Sequence, residues 1–177
     1  MPTSRPIAIR HICNTILKLK PKSVLDIGVG FGKNGFLARE YTDIWHGRPF
    51  GDWQTRIDGI EVFEKYLGVI QKTVYNNIYI GDAKDVIKTL DKYDMIICTA
   101  VLEHFTKEDG NDLLCSIRDK RNMLGIVVLP TNVKAQGAVY GNDHERHLSN
   151  WSEKDLTIYG KVSILKDEVN NQFMLEI

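Results

Sequence analysis

Apolar residues along the chain switch between two spacings, and the switching divides it into alternating helices and strands. Ile9, Ile12, Cys13, Ile16 and Leu17 recur at helical spacing, and Pro21 disfavours helix at Lys20, which predicts a first helix over about Pro6 to Leu19 within an N-terminal segment, residues 1–22. Ser23 to Ile27 reads as a short buried strand that breaks at glycines, and Lys33 to Tyr41 as the helix after it. Arg56 to Glu61 is a second strand, and Phe63, Tyr66, Leu67, Ile70 and Val74 mark one face of a second helix. Asn77 to Ile80 is a third strand, Val86, Ile87 and Leu90 mark a short helix, and Tyr93 to Cys98 is a fourth strand. Leu113, Leu114 and Ile117 lie on a further helix, and Leu124 to Leu129 form a fifth strand ended by Pro130.

Alternation of this kind predicts an α/β fold with a mostly parallel, doubly wound sheet. After a loop over residues 131–151, Ser152 caps a last helix reaching Tyr159. Two final strands, Lys161 to Lys166 and Gln172 to Ile177, are joined by a turn too short for a crossover helix, so they form an antiparallel hairpin. Seven strands in one domain, residues 1–177, are expected.

Composition narrows the class. At 177 residues and 43% hydrophobic content the chain is sized for a single core. No run approaches the roughly 20 apolar residues that span a bilayer, and Arg5, Arg10 and His11 stand where a signal peptide is apolar, so a soluble cytoplasmic protein is expected. Cys13, Cys98 and Cys115 lack metal-ligand spacing and are expected as free thiols. The 23 basic and 23 acidic side chains cancel, which disfavours large nucleic acids as partners despite a basic bias in the first forty residues.

The candidate chemistry begins where the first strand stops. Gly30-Phe31-Gly32-Lys33-Asn34-Gly35 fits the dinucleotide pattern G-x-G-x-x-G, but that pattern begins two residues after the strand has broken at Gly28. Counted from the strand end, the segment is Asp26-x-Gly28-x-Gly30-x-Gly32, which resembles motif I of the Rossmann-like (class I) S-adenosylmethionine-dependent methyltransferases. Three further segments resemble that family in order: Glu61-Val62 after the second strand, Gly81-Asp82-Ala83 after the third, and Asp94-x-Ile96 continuing to Glu103-His104 after the fourth.

The resemblance implies S-adenosyl-L-methionine as cofactor and a role for each of these residues. Asp26 positions the methionine part, directly or through water, and Gly28, Gly30 and Gly32 permit close approach. Glu61 accepts hydrogen bonds from the ribose hydroxyls beside Val62, since a carboxylate is an acceptor without donors. Asp82 lies near the adenine amino group, with Ala83 leaving room for the ring. Thr99 and Ala100 flank the cofactor, although many relatives carry an acidic residue or asparagine where this chain has Thr99.

Two departures follow from the same alignment. About 35 residues separate Asp26 from Glu61, where the simplest unit has nearer 20. The excess, residues 42–55, is either a surface insertion or a lid over the substrate pocket. The Asn/Asp-Pro-Pro-Tyr/Phe signature of enzymes that methylate exocyclic base amines is replaced by Thr99-Ala100-Val101-Leu102, which disfavours that substrate class.

For the acceptor side, imidazole titrates near neutral pH, so His104 is a candidate general base, with Glu103 orienting it or binding substrate; a purely structural Glu-His pair is the other reading. The segment Tyr140 to Trp151 holds His144, Glu145, His147 and Trp151. It reads as a substrate-binding wall, a source of a base at His144 or His147, a metal site, or a loop whose polar groups satisfy one another. His-x-x-His lacks the spacing of recognised zinc sites, so substrate recognition is preferred and no metal ligand is assigned. A small-molecule acceptor, such as a sugar or another metabolite hydroxyl, suits the size of the chain. A non-catalytic module that binds the cofactor or a partner is the alternative, and a nicotinamide-dependent oxidoreductase is disfavoured by the loop register.

Overall fold

The computed structural model describes residues 3–177 and contains one seven-stranded sheet in the order β3-β2-β1-β4-β5-β7-β6. β1 (Ser23–Ile27) pairs in parallel with β2 (Arg56–Glu61) and β4 (Tyr93–Thr99); β2 pairs with β3 (Asn77–Ile80) and β4 with β5 (Arg121–Pro130), again in parallel. β7 (Gln172–Glu176) is antiparallel to both β5 and β6 (Lys161–Leu165), as a hairpin connection requires.

β1 is buried along nearly its whole length because helices cover both faces of the sheet. Val24 packs into one core with Ile12 and Ile16 of α1 (Ile9–Leu19) and Ala38 of α2 (Lys33–Thr42). Leu25 and Ile27 pack into the other, with Ile87 of α4 (Ala83–Thr89) and Leu113, Leu114 and Ile117 of α5 (Lys107–Lys120). The first helix stops where proline predicts, with Lys20 turning left-handed at φ 50° just before Pro21. Ser152 caps α6 (Glu153–Thr157) in a reciprocal pair with Asp155.

The second helix is shorter than its apolar spacing predicts. Residues Glu64–Tyr66 form one 3-10 turn, Gly68 breaks the run, and α3 covers only Val69–Val74. Ile70 faces solvent, while Gln71 is buried and uses its amide to cap Gly68 and hold Gly30. A polar residue takes the inward position because the glycine loop beside it presents unpaired backbone groups.

Residues 42–55 join the end of α2 to the start of β2, which puts them at the N-terminal ends of the strands. Asp43 is fully buried there, accepting from Arg39 at 2.6 Å, Arg48 at 3.1 Å and the Gln54 amide at 2.9 Å, and Trp53 stacks on the Arg39 guanidinium. The segment is a structural insertion. Among the described residues no helix is long and apolar enough to cross a membrane, and no cysteine is paired.

Candidate active site

The strand order reverses beside β1 and β4, so their C-terminal ends splay apart and leave a crevice. A cavity of about 680 Å³ fills it. Gly28, Val29, Gly30 and Phe31 form one wall, where Gly28 has φ +80° and Gly30 φ +50°. A Cβ on Gly28 would stand 2.3 Å from Cγ2 of Val101, so only glycine lets the loop lie this close to the chain after β4. Gly32 lies outside the wall; its amide bonds the Val29 carbonyl at 2.8 Å and starts α2.

Asp26 is one layer behind the cavity and fully buried. Tyr75 donates its hydroxyl to it at 2.5 Å and Asn34 its amide at 3.1 Å, while Asn34 also donates to Thr99 Oγ1 at 2.9 Å. The Tyr75 hydroxyl in turn accepts the Gly35 amide at 3.1 Å. Burial raises the Asp26 pKa to about 7, because these neutral donors offset only part of the desolvation and Glu61 adds a like charge. The chain thus presents Asn34, not Asp26, to the cavity, and Asp26 acts by holding Asn34 and Tyr75.

Glu61 lines the cavity and receives the Gly30 and Phe63 amides, one on each carboxylate oxygen, both at 2.9 Å. Each oxygen retains a lone pair for a further donor. Burial moves its pKa up despite those bonds, and Glu145 repels it. Val62, Asp82, Ala83, Thr99 and Ala100 share the same cavity. Asp82 also caps α4 through the Lys84 amide, and Ala100 is held at φ +54°, a conformation that costs a non-glycine residue strain.

The far side is built by Glu103, His104 and the folded-back loop 131–151. Val139 and Asn142 form a two-residue hairpin around Tyr140 and Gly141, both at positive φ. The Leu148 and Ser149 amides then bond the Glu103 carbonyl at 2.9 and 3.3 Å, tying the loop to the end of β4. His144, Glu145 and His147 line the cavity with Glu103 and His104, and the His104 and His147 rings lie 5.0 Å apart. Burial pushes the Glu103 carboxyl up to about 7, with Glu145 adding repulsion, and lowers the pKa of His104.

Trp151 departs from its expected place. It is buried in the core, bonds Ser149 through its indole N–H at 2.9 Å, and packs against Gly110, where a Cβ would meet its ring at 2.5 Å. None of residues 42–55 reaches the cavity, so the lid reading falls. Several wall residues carried no local signal: Asn34 sits inside a helix, Tyr66 and Asn142 bond Glu145 or each other from separate segments, and Ser4 and Arg5 arrive from the N-terminus. Lys33 Nζ fixes Ser4 at 2.6 Å, and Arg5 pairs with Asp167 at 2.6 Å.

No protein-family model and no curated sequence matches the chain. Solved structures do. TehB from Haemophilus influenzae superposes with a TM-score of 0.65 at 15% identity, over 94% of this chain and 61% of that one. Burkholderia thailandensis 1,6-didemethyltoxoflavin-N1-methyltransferase, solved with 1,6-didemethyltoxoflavin and S-adenosylhomocysteine, gives 0.64 at 15% identity over 97% and 76%. Magnesium protoporphyrin IX methyltransferase from Synechocystis PCC 6803 with bound S-adenosylhomocysteine gives 0.59 at 17% identity over 96% and 84%. The chain therefore has the seven-stranded, Rossmann-like methyltransferase fold, and it spans about three fifths of the TehB chain.

Proposed function

We propose that this protein is an S-adenosylmethionine-dependent methyltransferase acting on a small or medium-sized acceptor, a sugar or other metabolite hydroxyl fitting best. One observation carries the reading: the glycine loop, Glu61 and the Asp82-Ala83 pair, each at the end of a different strand, converge on one cavity whose opposite side holds Glu103, His104 and His147. The group fits on physical grounds. Gly28 and Gly30 line the cavity at positive φ, a Cβ on Gly28 would collide with Val101, and Glu61 offers lone pairs to a diol. The buried carboxylates Glu61, Glu103 and Glu145 also make the cavity favourable for a cation.

S-adenosylmethionine supplies an electrophilic methyl group on a sulfonium. The residues of the chain orient the two reactants and exclude water. Gly30 is held from both sides, its amide by Glu61 and its carbonyl by Gln71 at 2.7 Å, so the loop is preorganised. His104 and Glu103 stand on the acceptor side, where an imidazole nitrogen with a free lone pair receives a hydroxyl proton.

Incubation with methyl-labelled S-adenosylmethionine and a panel of hydroxyl-bearing metabolites tests the reading. Labelled acceptor appearing together with S-adenosylhomocysteine is the expected result. Tight cofactor binding with no transfer to any acceptor favours the non-catalytic module.

A further inference from the structure

We propose that Glu103, His104 and His147 form a binding site for one divalent first-row transition-metal ion on the acceptor side of the cavity. A ligand atom from each lies within 4.8 Å of the other two. Three ligand atoms held tetrahedrally at about 2.0–2.2 Å from a common ion lie about 3.3–3.6 Å apart, so side-chain closure of up to about an ångström brings the set onto one ion.

The hydrogen bonds around the two imidazoles prepare them as ligands. His104 Nδ1 lies 3.1 Å from the Arg146 carbonyl and His147 Nδ1 2.6 Å from the Lys134 carbonyl. A carbonyl only accepts, so each Nδ1 carries the proton, and in the neutral ring each Nε2 carries a lone pair. Metal-binding histidines are oriented in this way, by donating the other ring N–H to a fixed acceptor.

Glu103 adds an independent sign. The residue is 3% exposed, and its buried Oε2 meets no donor among the described residues. A desolvated carboxylate oxygen without a partner is costly, and Glu145 nearby adds negative charge instead of relieving it. A cation coordinated by Glu103 removes that cost. The positions are fixed with respect to one another, since the amides of Leu148 and Ser149, next to His147, bond the Glu103 carbonyl.

Two imidazoles and one carboxylate suit manganese, iron, cobalt, nickel or zinc better than magnesium or calcium, which take oxygen ligands. Three protein ligands leave coordination positions open to the acceptor. Ion binding stands alone, whereas its catalytic use rests on the methyl-transfer reading. In that use a coordinated hydroxyl releases its proton to solvent, its oxygen forms the new O–C bond, and the C–S electron pair stays on sulfur, leaving a neutral thioether. With the ion bound, His104 serves as a ligand, and its proton-accepting role belongs to the metal-free site alone. Reading along the sequence missed the site because the ligands come from two segments, and His144 of the His-x-x-His pair takes no part in the cluster.

Chelator-treated full-length protein titrated with Mn²⁺, following free ion by electron paramagnetic resonance, tests the site. S-adenosylhomocysteine affinity is measured on the same samples by calorimetry. One equivalent of Mn²⁺ is expected to bind, weakened more than ~10-fold in both Glu103→Gln and His147→Ala and unchanged in Asp143→Asn, which alters an exposed carboxylate on the same loop. Wild-type protein that binds S-adenosylhomocysteine but no stoichiometric Mn²⁺ overturns the metal site and leaves the methyl-transfer reading intact. Stoichiometric Mn²⁺ without S-adenosylhomocysteine binding upholds the site and removes that reading. Variants that bind Mn²⁺ as tightly as wild type, while folded by circular dichroism, overturn the ligand assignment.

Discussion

Asp43 and Asp26 are both fully buried at opposite ends of the same sheet, and they hold their protons in opposite ways. At the N-terminal ends of the strands, burial alone pushes Asp43 up, but the Gln54 amide and the Arg39 and Arg48 guanidiniums outweigh it and leave its pKa below the ordinary value. At the C-terminal ends, Asp26 has only neutral donors and rises to about 7. Glu61, Glu103 and Glu145 around the cavity share that upward direction. One end of the sheet has compensated its buried charge within the protein and is structural. The other has left its charge for something else to compensate, which is what a site for a cationic ligand requires.

The largest effect that tests this contrast is expected at the compensated end. Arg39→Met removes the buried cation bonded to Asp43 Oδ2, together with its bonds to the Thr55 and Val74 carbonyls, and costs about 3–5 kcal/mol of stability in urea unfolding even with Arg48 retained. A loss under 1 kcal/mol would show that Asp43 is not held by charge.

The next is a pH effect of opposite sign at the two ends. Asp26 titrates near 7 when folded and near about 3.9 when unfolded. Between these values the unfolded chain has lost a proton that the folded chain keeps, so this group lowers stability as pH rises, with no further change above about 7. Asn at position 26 has no such proton. Stability of Asp26→Asn relative to wild type should rise between pH 5 and pH 7 by up to about 3 kcal/mol. Asp43, whose pKa is lowered, stabilises the protein above the ordinary carboxylate range and loses that contribution as pH falls through its folded value. A difference between Asp26→Asn and wild type that stays level with pH contradicts the assignment.

How far the sequence carried depended on whether the signal was local. The edges of β1, β2 and β3 were legible because each is an apolar run ended by glycine or by a strand-end acid. The second helix was not, because Gly68 interrupts it and Gln71, a polar residue, turns inward. Trp151 looked like a binding residue among polar neighbours, yet its partners Gly110 and Lys107 lie on α5, far along the chain. Asp26 and Glu61 were legible as positions, while the Tyr75 and Asn34 side chains that hold Asp26 gave no pattern by which to find them. Residues 42–55 stood out in length alone, and topology decided which end of the sheet they occupy.

Cofactor affinity gives two smaller effects. Glu61→Gln should weaken S-adenosylhomocysteine binding about 10–100-fold, the weight of about 1.5–3 kcal/mol for hydrogen bonds to a charged acceptor, with the fold retained by circular dichroism. An unchanged affinity removes the ribose assignment. Phe50→Ala, in the exposed part of the insertion, should leave that affinity unchanged, and a marked loss would return residues 42–55 to the site.

Calorimetric titration of the wild-type protein with S-adenosylmethionine, S-adenosylhomocysteine and NAD tests the central claim most directly. Saturable binding of both sulfur compounds at one site per chain, with no heat from NAD, is the predicted result; binding of NAD with neither sulfur compound would contradict it.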